Sequence, residues 1–183
     1  MANKQLAIFA FGGGGAWLKQ PGSSGFFKYQ TLSNLSRCGT VQLEIIIGAG
    51  GSSSSSSTVN GGSTTVSMDG MQVITANGGG GAGGPGWSGV RSGRYGGYNG
   101  QYGTGERLPT LCGGVTLAPG KAGYKKYRST GAGGVIVDGM KPNRTSKSDG
   151  EGYGAGGGRY GKTGYNGVVV ITLCDTTATH TSG

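Results

Sequence analysis

Few residues in this chain are placed to do chemistry. A hydrolytic nucleophile needs a base beside it, and the only histidine, His180, stands in a polar C-terminal stretch. The three cysteines, Cys38, Cys112 and Cys174, lie far apart and make no C-x-x-C pair, so a zinc site is not expected. They leave open one long-range disulfide with a free thiol, three buried thiols, or an intermolecular bridge. Asp138, Asp149 and Glu151 are close in sequence and offer an acidic pair or a weak calcium site. The stretch Asp149-Gly150-Glu151-Gly152 reads as a loop with too few oxygen ligands, which favours turn-forming roles. The pattern G-x-G-x-x-G recurs by chance at this glycine content, and no copy follows a strand and opens a helix. The tripeptide Gly161-Lys162-Thr163 ends a would-be phosphate loop, but Gly156 is read as one residue too close to serve as its upstream glycine, so nucleotide binding is not expected. No catalytic residue, metal or cofactor is expected, and an enzyme is the class set aside first.

Residues suited to recognition are more plentiful. The tract 91–105 (RSGRYGGYNGQYGTG) sets Arg91, Arg94, Tyr95, Tyr98 and Tyr102 in glycine. Arginine on phosphate and tyrosine on bases would bind single-stranded RNA. True arginine–glycine repeats are absent and strands surround the tract, so nucleic acid is not the expected partner. The same groups, with Trp87, Tyr153 and Tyr160, are candidates for surface or partner contact. They also suit stacking on one another. Sixteen lysines and arginines against seven acids give a net charge of +9, with a modest cluster at Lys121, Lys125, Lys126 and Arg128. Such a balance attracts acidic glycans, nucleic acid or anionic membranes, or serves solubility. Asn34 and Asn143 head glycosylation sequons, which matter only in a secreted eukaryotic chain.

These side chains must be held by strands and glycine. Forty-five of 183 residues are glycine, and five prolines with no every-third-residue period exclude collagen. Apolar runs at 5–11, 41–47, 71–75, 133–139 and 168–173 read as strands, and a flexible linker has no such runs. In 41–47, Val41, Leu43, Ile45 and Ile47 share one face. Residues 26–36 read as a further strand and 115–129 as a weak strand and turn. Asp69-Gly70 is a hairpin signal between two arms in 63–76. No amphipathic helical stretch of ten residues is present, and glycine disfavours helix by about 1 kcal/mol per position. The expected fold is all-β, a jelly-roll-like β-sandwich with little or no helix. It comprises one domain, 1–174, and a polar tail, 175–183. No segment reads as transmembrane, and residues 1–20 lack a signal-peptide pattern.

Glycine blocks adjoin apolar strands four times: AIFAF-GGGGAW, LEIII-GAGG, VITAN-GGGGAGGPGW and GAGG-VIVDG. Ordering glycine costs about 0.5–1 kcal/mol per residue relative to alanine in regular structure. Repeated placement beside strands therefore favours tight packing over floppy loops, with the blocks meeting on one side of the sheets. Extended threefold helices of the polyproline II kind, about 3.1 Å per residue, can pack side by side without Cβ atoms and bond N–H to C=O laterally. Gly12, Gly13, Gly14, Gly78, Gly79, Gly80, Gly156 and Gly157 are expected in that layer.

The order strand–GGGG, strand–GAGG, GGSTTVSMDGMQVITANGGGGAGGPG, GEGYGAGGG and a terminal GVVVI strand resembles the glycine-rich domains of phage tail-fibre adhesins. It is also similar to the glycine-rich extracellular domain of the anaplastic and leukocyte tyrosine kinases. The likeness spans roughly residues 6–173 and rests on pattern and composition; no kinase, membrane span or fibre shaft is present, and no binding residue carries over. It implies a β-sandwich with packed polyglycine helices, on a cell exterior or virion surface, that binds without chemistry. Two functions follow as expectations. One is a self-assembling extracellular subunit of a fibre, matrix or adhesive, whose partner is itself. The other is an adhesin tip for an acidic glycan or cell-surface receptor. An ice-binding role is a lesser alternative, because a regular threonine or alanine ladder is not evident.

Overall fold

Alternation along one strand organises the molecule. In β1 (Lys4–Phe11), Leu6, Ile8 and Ala10 face one side and Phe9 and Phe11 the other. Both sets are covered, which marks β1 as a central strand. It pairs antiparallel with β2 (Phe27–Leu32) and β8 (Val168–Asp175), giving the order β2-β1-β8. The computed structural model describes residues 4–33, 40–52, 57–81, 86–87, 107–123, 130–159 and 163–175.

On the Ile8 side lies a second antiparallel sheet, β3-β4-β5, made of β3 (Leu43–Ile46), β4 (Thr64–Met68) and β5 (Met71–Ala76). Leu43, Val66, Ile74 and Ala76 meet Ile8, Ala10, Val169 and Ile171 across that core. On the Phe9 side the cover is a two-stranded sheet, β6 (Leu117–Pro119) with β7 (Val135–Val137), together with Trp87 and Leu111. The described residues are thus all-β, with three small antiparallel sheets and no helix. The 63–76 hairpin is present. Asp69 (φ 49) and Gly70 (φ 80) both take positive φ, as a type I′ turn requires. Asp138 and Gly139 repeat this geometry between Val137 and Met140, a turn the sequence also signals with Asp-Gly. Asp175, assigned by sequence to the tail, is the last residue of β8 and pairs with Lys4. Cys112 and Cys174 form the disulfide, with Cα atoms 5.9 Å apart. Cys38 lies outside the described residues.

Every strand joins a glycine-containing segment at the same end of the molecule. β1, β3, β5 and β6 run into 12–16, 48–51, 77–81 and 120–123. β2, β4, β7 and β8 emerge from 22–26, 59–63, 130–134 and 163–167. Antiparallel pairing enforces this: Phe11 stands opposite both Phe27 and Val168, so three segments leave the central sheet together.

The segments bond to each other rather than within themselves. In 12–16, Gly12 N–H donates to Phe26, Gly13 to Gly62, Gly14 to Tyr165, Gly15 to Ser23 and Ala16 to Val59. Residues three apart therefore address the same neighbour. In return, the carbonyls of Gly13, Gly14 and Gly15 accept from Gly79, Gly51 and Gly157. Six other segments thus surround 12–16. The same period of three holds in 22–26, where Gly22 and Gly25 donate to Gly157 and Gly154, and Ser23 and Phe26 to Gly80 and Asn77. Buried N–H and C=O groups need partners, and here neighbouring segments supply them.

The spacing admits no side chain. A Cβ on Gly12, Gly13 or Gly14 would lie 2.1, 2.2 or 2.0 Å from the carbonyl oxygens of Asn77, Ala49 and Ala155. Side chains also accept from glycine N–H groups. Asn166 Oδ1 accepts from Gly50 N–H and Asn60 Oδ1 from Gly81 N–H. Thr64, fully buried, accepts from Gly48 N–H and donates to the Phe11 carbonyl.

Candidate functional site

The residues expected to make contacts divide into three groups. Arg91, Arg94, Tyr95, Tyr98, Tyr102 and Tyr160 lie outside the described residues, as do Asn34, His180 and the three basic residues 125, 126 and 128. Tyr153 is half-buried and packs with the aromatic core, its backbone bridged to Val135. Trp87 requires correction. It is not a surface group but 2 % exposed, with its ring edge-on to Phe11 and Phe27 at 5.5 and 5.9 Å. The reason is that Gly86 and Trp87 lie against 23–25, where Trp87 N–H reaches the Gly25 carbonyl, and this carries the indole into the core.

Of the expected layer residues, Gly12, Gly13, Gly14, Gly79, Gly80, Gly156 and Gly157 are buried and Gly78 is half-buried. The reading of Gly161-Lys162-Thr163 also needs amending, because Gly156 does stand at the spacing a phosphate loop demands. Context still tells against nucleotide. The N–H groups of Gly156, Gly157 and Gly158 are engaged by Ala132, Gly15 and the Asp149 carboxylate, so they cannot cradle phosphates.

The acidic trio does not converge. Asp138 accepts from Thr116 N–H beside its turn, and Glu151 pairs with Lys141. Asp149 is fully buried and accepts from Thr145 Oγ1 at 2.7 Å, Gly158 N–H at 2.8 Å and Tyr165 OH at 3.1 Å. Burial is the main cause that lifts the Tyr165 phenol above its ordinary pKa. Hydrogen bonds with Thr145 oppose the rise and the Asp149 charge reinforces it. This node fastens the loop 141–150 to the segments 154–158 and 163–167. Among the described residues no cluster of His, Cys, Asp and Glu could hold a metal ion. No helix among them is long and apolar enough to cross a membrane.

The unusual surface is at the strand edges. Among the described residues β3 pairs with β4 alone, and Val41, Ile45, Ile46 and Ile47 are 45, 43, 55 and 42 % exposed. Val41, Ile45 and Ile47 share the parity of Leu43, which faces the core, yet no further described strand covers them. Ile46 shares the outer face with Glu44. β8 ends its sheet too, but Val168 to Ile171 are half-buried and Gly113 lies against Thr172. On the opposite flank, β2 pairs among the described residues only with β1 and exposes Lys28, Tyr29, Gln30 and Thr31. Sequence alone marks 41–47 as a strand. It does not reveal that the strand is an edge, since that depends on which segments pair.

Comparison with protein-family models, with curated proteins and with solved structures finds no match to this chain. The functional reading rests on the geometry.

Proposed function

We propose that the chain is a non-enzymatic extracellular structural protein, a self-assembling subunit of a fibre, matrix or adhesive. The observation that carries this reading is the apolar, singly paired β3 edge, held by a network of laterally bonded glycine segments. β3 is short, four residues, but an exposed apolar edge is still a template for pairing with another chain. We read the glycine segments as polyglycine II-type helices. Donation by residues three apart to one neighbour supports this, since that helix has three residues per turn. We read β2-β1-β8 and β3-β4-β5 as a β-sandwich, supported by the core between them. The Cys112–Cys174 disulfide fits an oxidising compartment and so a secreted or virion-surface protein. The likeness to glycine-rich adhesin and receptor domains agrees with a role in binding rather than catalysis.

A second reading, an adhesin tip for an acidic glycan, is favoured by the exposed Lys141, Arg144 and Lys147 on one loop of a chain with net charge +9. Electron microscopy of the purified protein at micromolar concentration separates the two. Filaments or sheets are expected. A strict monomer that retains glycan binding overturns assembly in favour of the adhesin.

A further inference from the structure

We propose that copies of the chain join head to tail, the β3 edge of one adding antiparallel to the β2 edge of the next, with Glu44 opposite Lys28. The proposal rests on the self-assembly reading and names its contact. Its starting point is charge. Of the acids described, Asp69 and Asp138 accept backbone N–H groups, Asp149 is buried, and Glu151 and Asp175 pair with lysines. Glu44 is the remaining one, exposed in the middle of an apolar edge strand. Among the described residues of this basic chain it is the carboxylate left for a partner. Lys28 sits on the other exposed strand, and among the described residues neither side chain forms an ion pair within the chain.

The register that places Glu44 against Lys28 sets Phe27 opposite Ile45, Tyr29 opposite Leu43, Gln30 opposite Gln42 and Thr31 opposite Val41. Aromatic residues meet branched aliphatics, amide meets amide, and opposite charges meet, which are the favourable cross-strand pairs. Pairing β3 with its own copy is poorer: Glu44 then faces itself or an uncharged residue. The flanks also fit. β2 lies against β5, so β2 and β3 stand on opposite sides of the stacked sheets. Such a contact is heterologous and repeats into a filament unless the rotation closes a ring.

The test uses the full chain with Lys28→Glu and Glu44→Lys, each an exposed substitution, with unchanged unfolding as the check on folding. Each variant alone meets a like charge and is expected to raise the critical concentration for assembly roughly tenfold at low salt. An equimolar mixture of the two carries complementary charges at both contacts of an alternating filament, so mixing is expected to restore assembly. Wild type that assembles while either variant assembles equally well, or a mixture that stays dispersed, overturns this pairing and leaves the self-assembly reading standing. Loss of assembly in Glu44→Lys but not Lys28→Glu points to β3 self-pairing instead and overturns it equally. Wild type that never assembles removes both.

Discussion

Gly14 lies at the centre of the glycine layer, and Gly14→Ala tests whether backbone packing holds this fold together. The new Cβ would stand 2.0 Å from the Ala155 carbonyl oxygen and 2.4 Å from its carbon, where ordinary contact begins at 3.4 Å. One backbone must therefore retreat by more than an ångström. Neither is free to do so. Gly14 N–H donates to Tyr165 at 2.9 Å and its carbonyl accepts from Gly51 at 2.8 Å, while Ala155 accepts from Tyr165 N–H. Overpacking by one carbon costs about 1–3 kcal/mol, and each buried group left unpaired adds about 1–3 kcal/mol. The loss of chain entropy in the unfolded alanine variant offsets about 0.4–1 kcal/mol. With both Gly14 backbone bonds at risk these contributions span about 2–9 kcal/mol, and the middle of that span, about 3–6 kcal/mol, is the expected net cost, against a total of about 5–15 kcal/mol for an ordinary domain. The comparison is Gly139→Ala, where φ is +73 and nothing stands within 4 Å. There only left-handed strain acts, about 1–2 kcal/mol. Thermal unfolding followed by circular dichroism should place Gly14→Ala about 6–24 °C below wild type, and Gly139→Ala about 2–8 °C below. Equal shifts for the two would refute the packed layer as the source of stability.

Two further outcomes follow from the same framework. The Cys112–Cys174 bridge spans 62 residues, so replacing both cysteines with alanine should cost about 4 kcal/mol by restored chain entropy; an unmoved urea midpoint would mean the bridge does not constrain the unfolded chain. The Tyr165 phenol, held protonated by burial, contributes stability that is fully present below its unfolded pKa of about 10 and lost as pH rises through the folded value; Tyr165→Phe should flatten that alkaline decline, and identical slopes in the two proteins would assign it elsewhere.

The strands were legible because their signal is local. Alternation in 5–11, the Asp69-Gly70 turn and the apolar run at 168–173 each specify an element without reference to the rest of the chain. What sequence could not supply was adjacency. Trp87 reads as a surface aromatic because glycine surrounds it, yet its partners Phe11 and Phe27 come from strands far earlier. The cysteine pairing depends on where residue 112 crosses β8. Asn60 and Asn166 look like ordinary loop residues, and their role as acceptors for glycine N–H groups appears only once the segments are assembled. β3 lies in the clearest strand signal, 41–47, with Val41, Leu43, Ile45 and Ile47 on one face, and of these Leu43 packs against the core. The exposure of β3 follows from sheet order alone.

A low apolar content, 33 % of residues, would leave most chains of this length short of a core. Here the deficit is met beside the strands, where backbone packs on backbone. Each residue of 12–16 bonds to segments drawn from remote parts of the chain, so local opening cannot proceed without breaking several partners at once. That coupling reaches the sheets directly, since every strand continues into the layer. On the self-assembly proposed above, an edge strand such as β3 would be held in its pairing conformation before a partner arrived. Association would then order little that was not already ordered, which is the cost that most weakens a small interface. A four-residue edge would bind feebly if it hung from a mobile loop; anchored at Gly48 through Thr64, it presents a fixed template. Under that proposal, glycine packing and edge exposure would be two parts of one device.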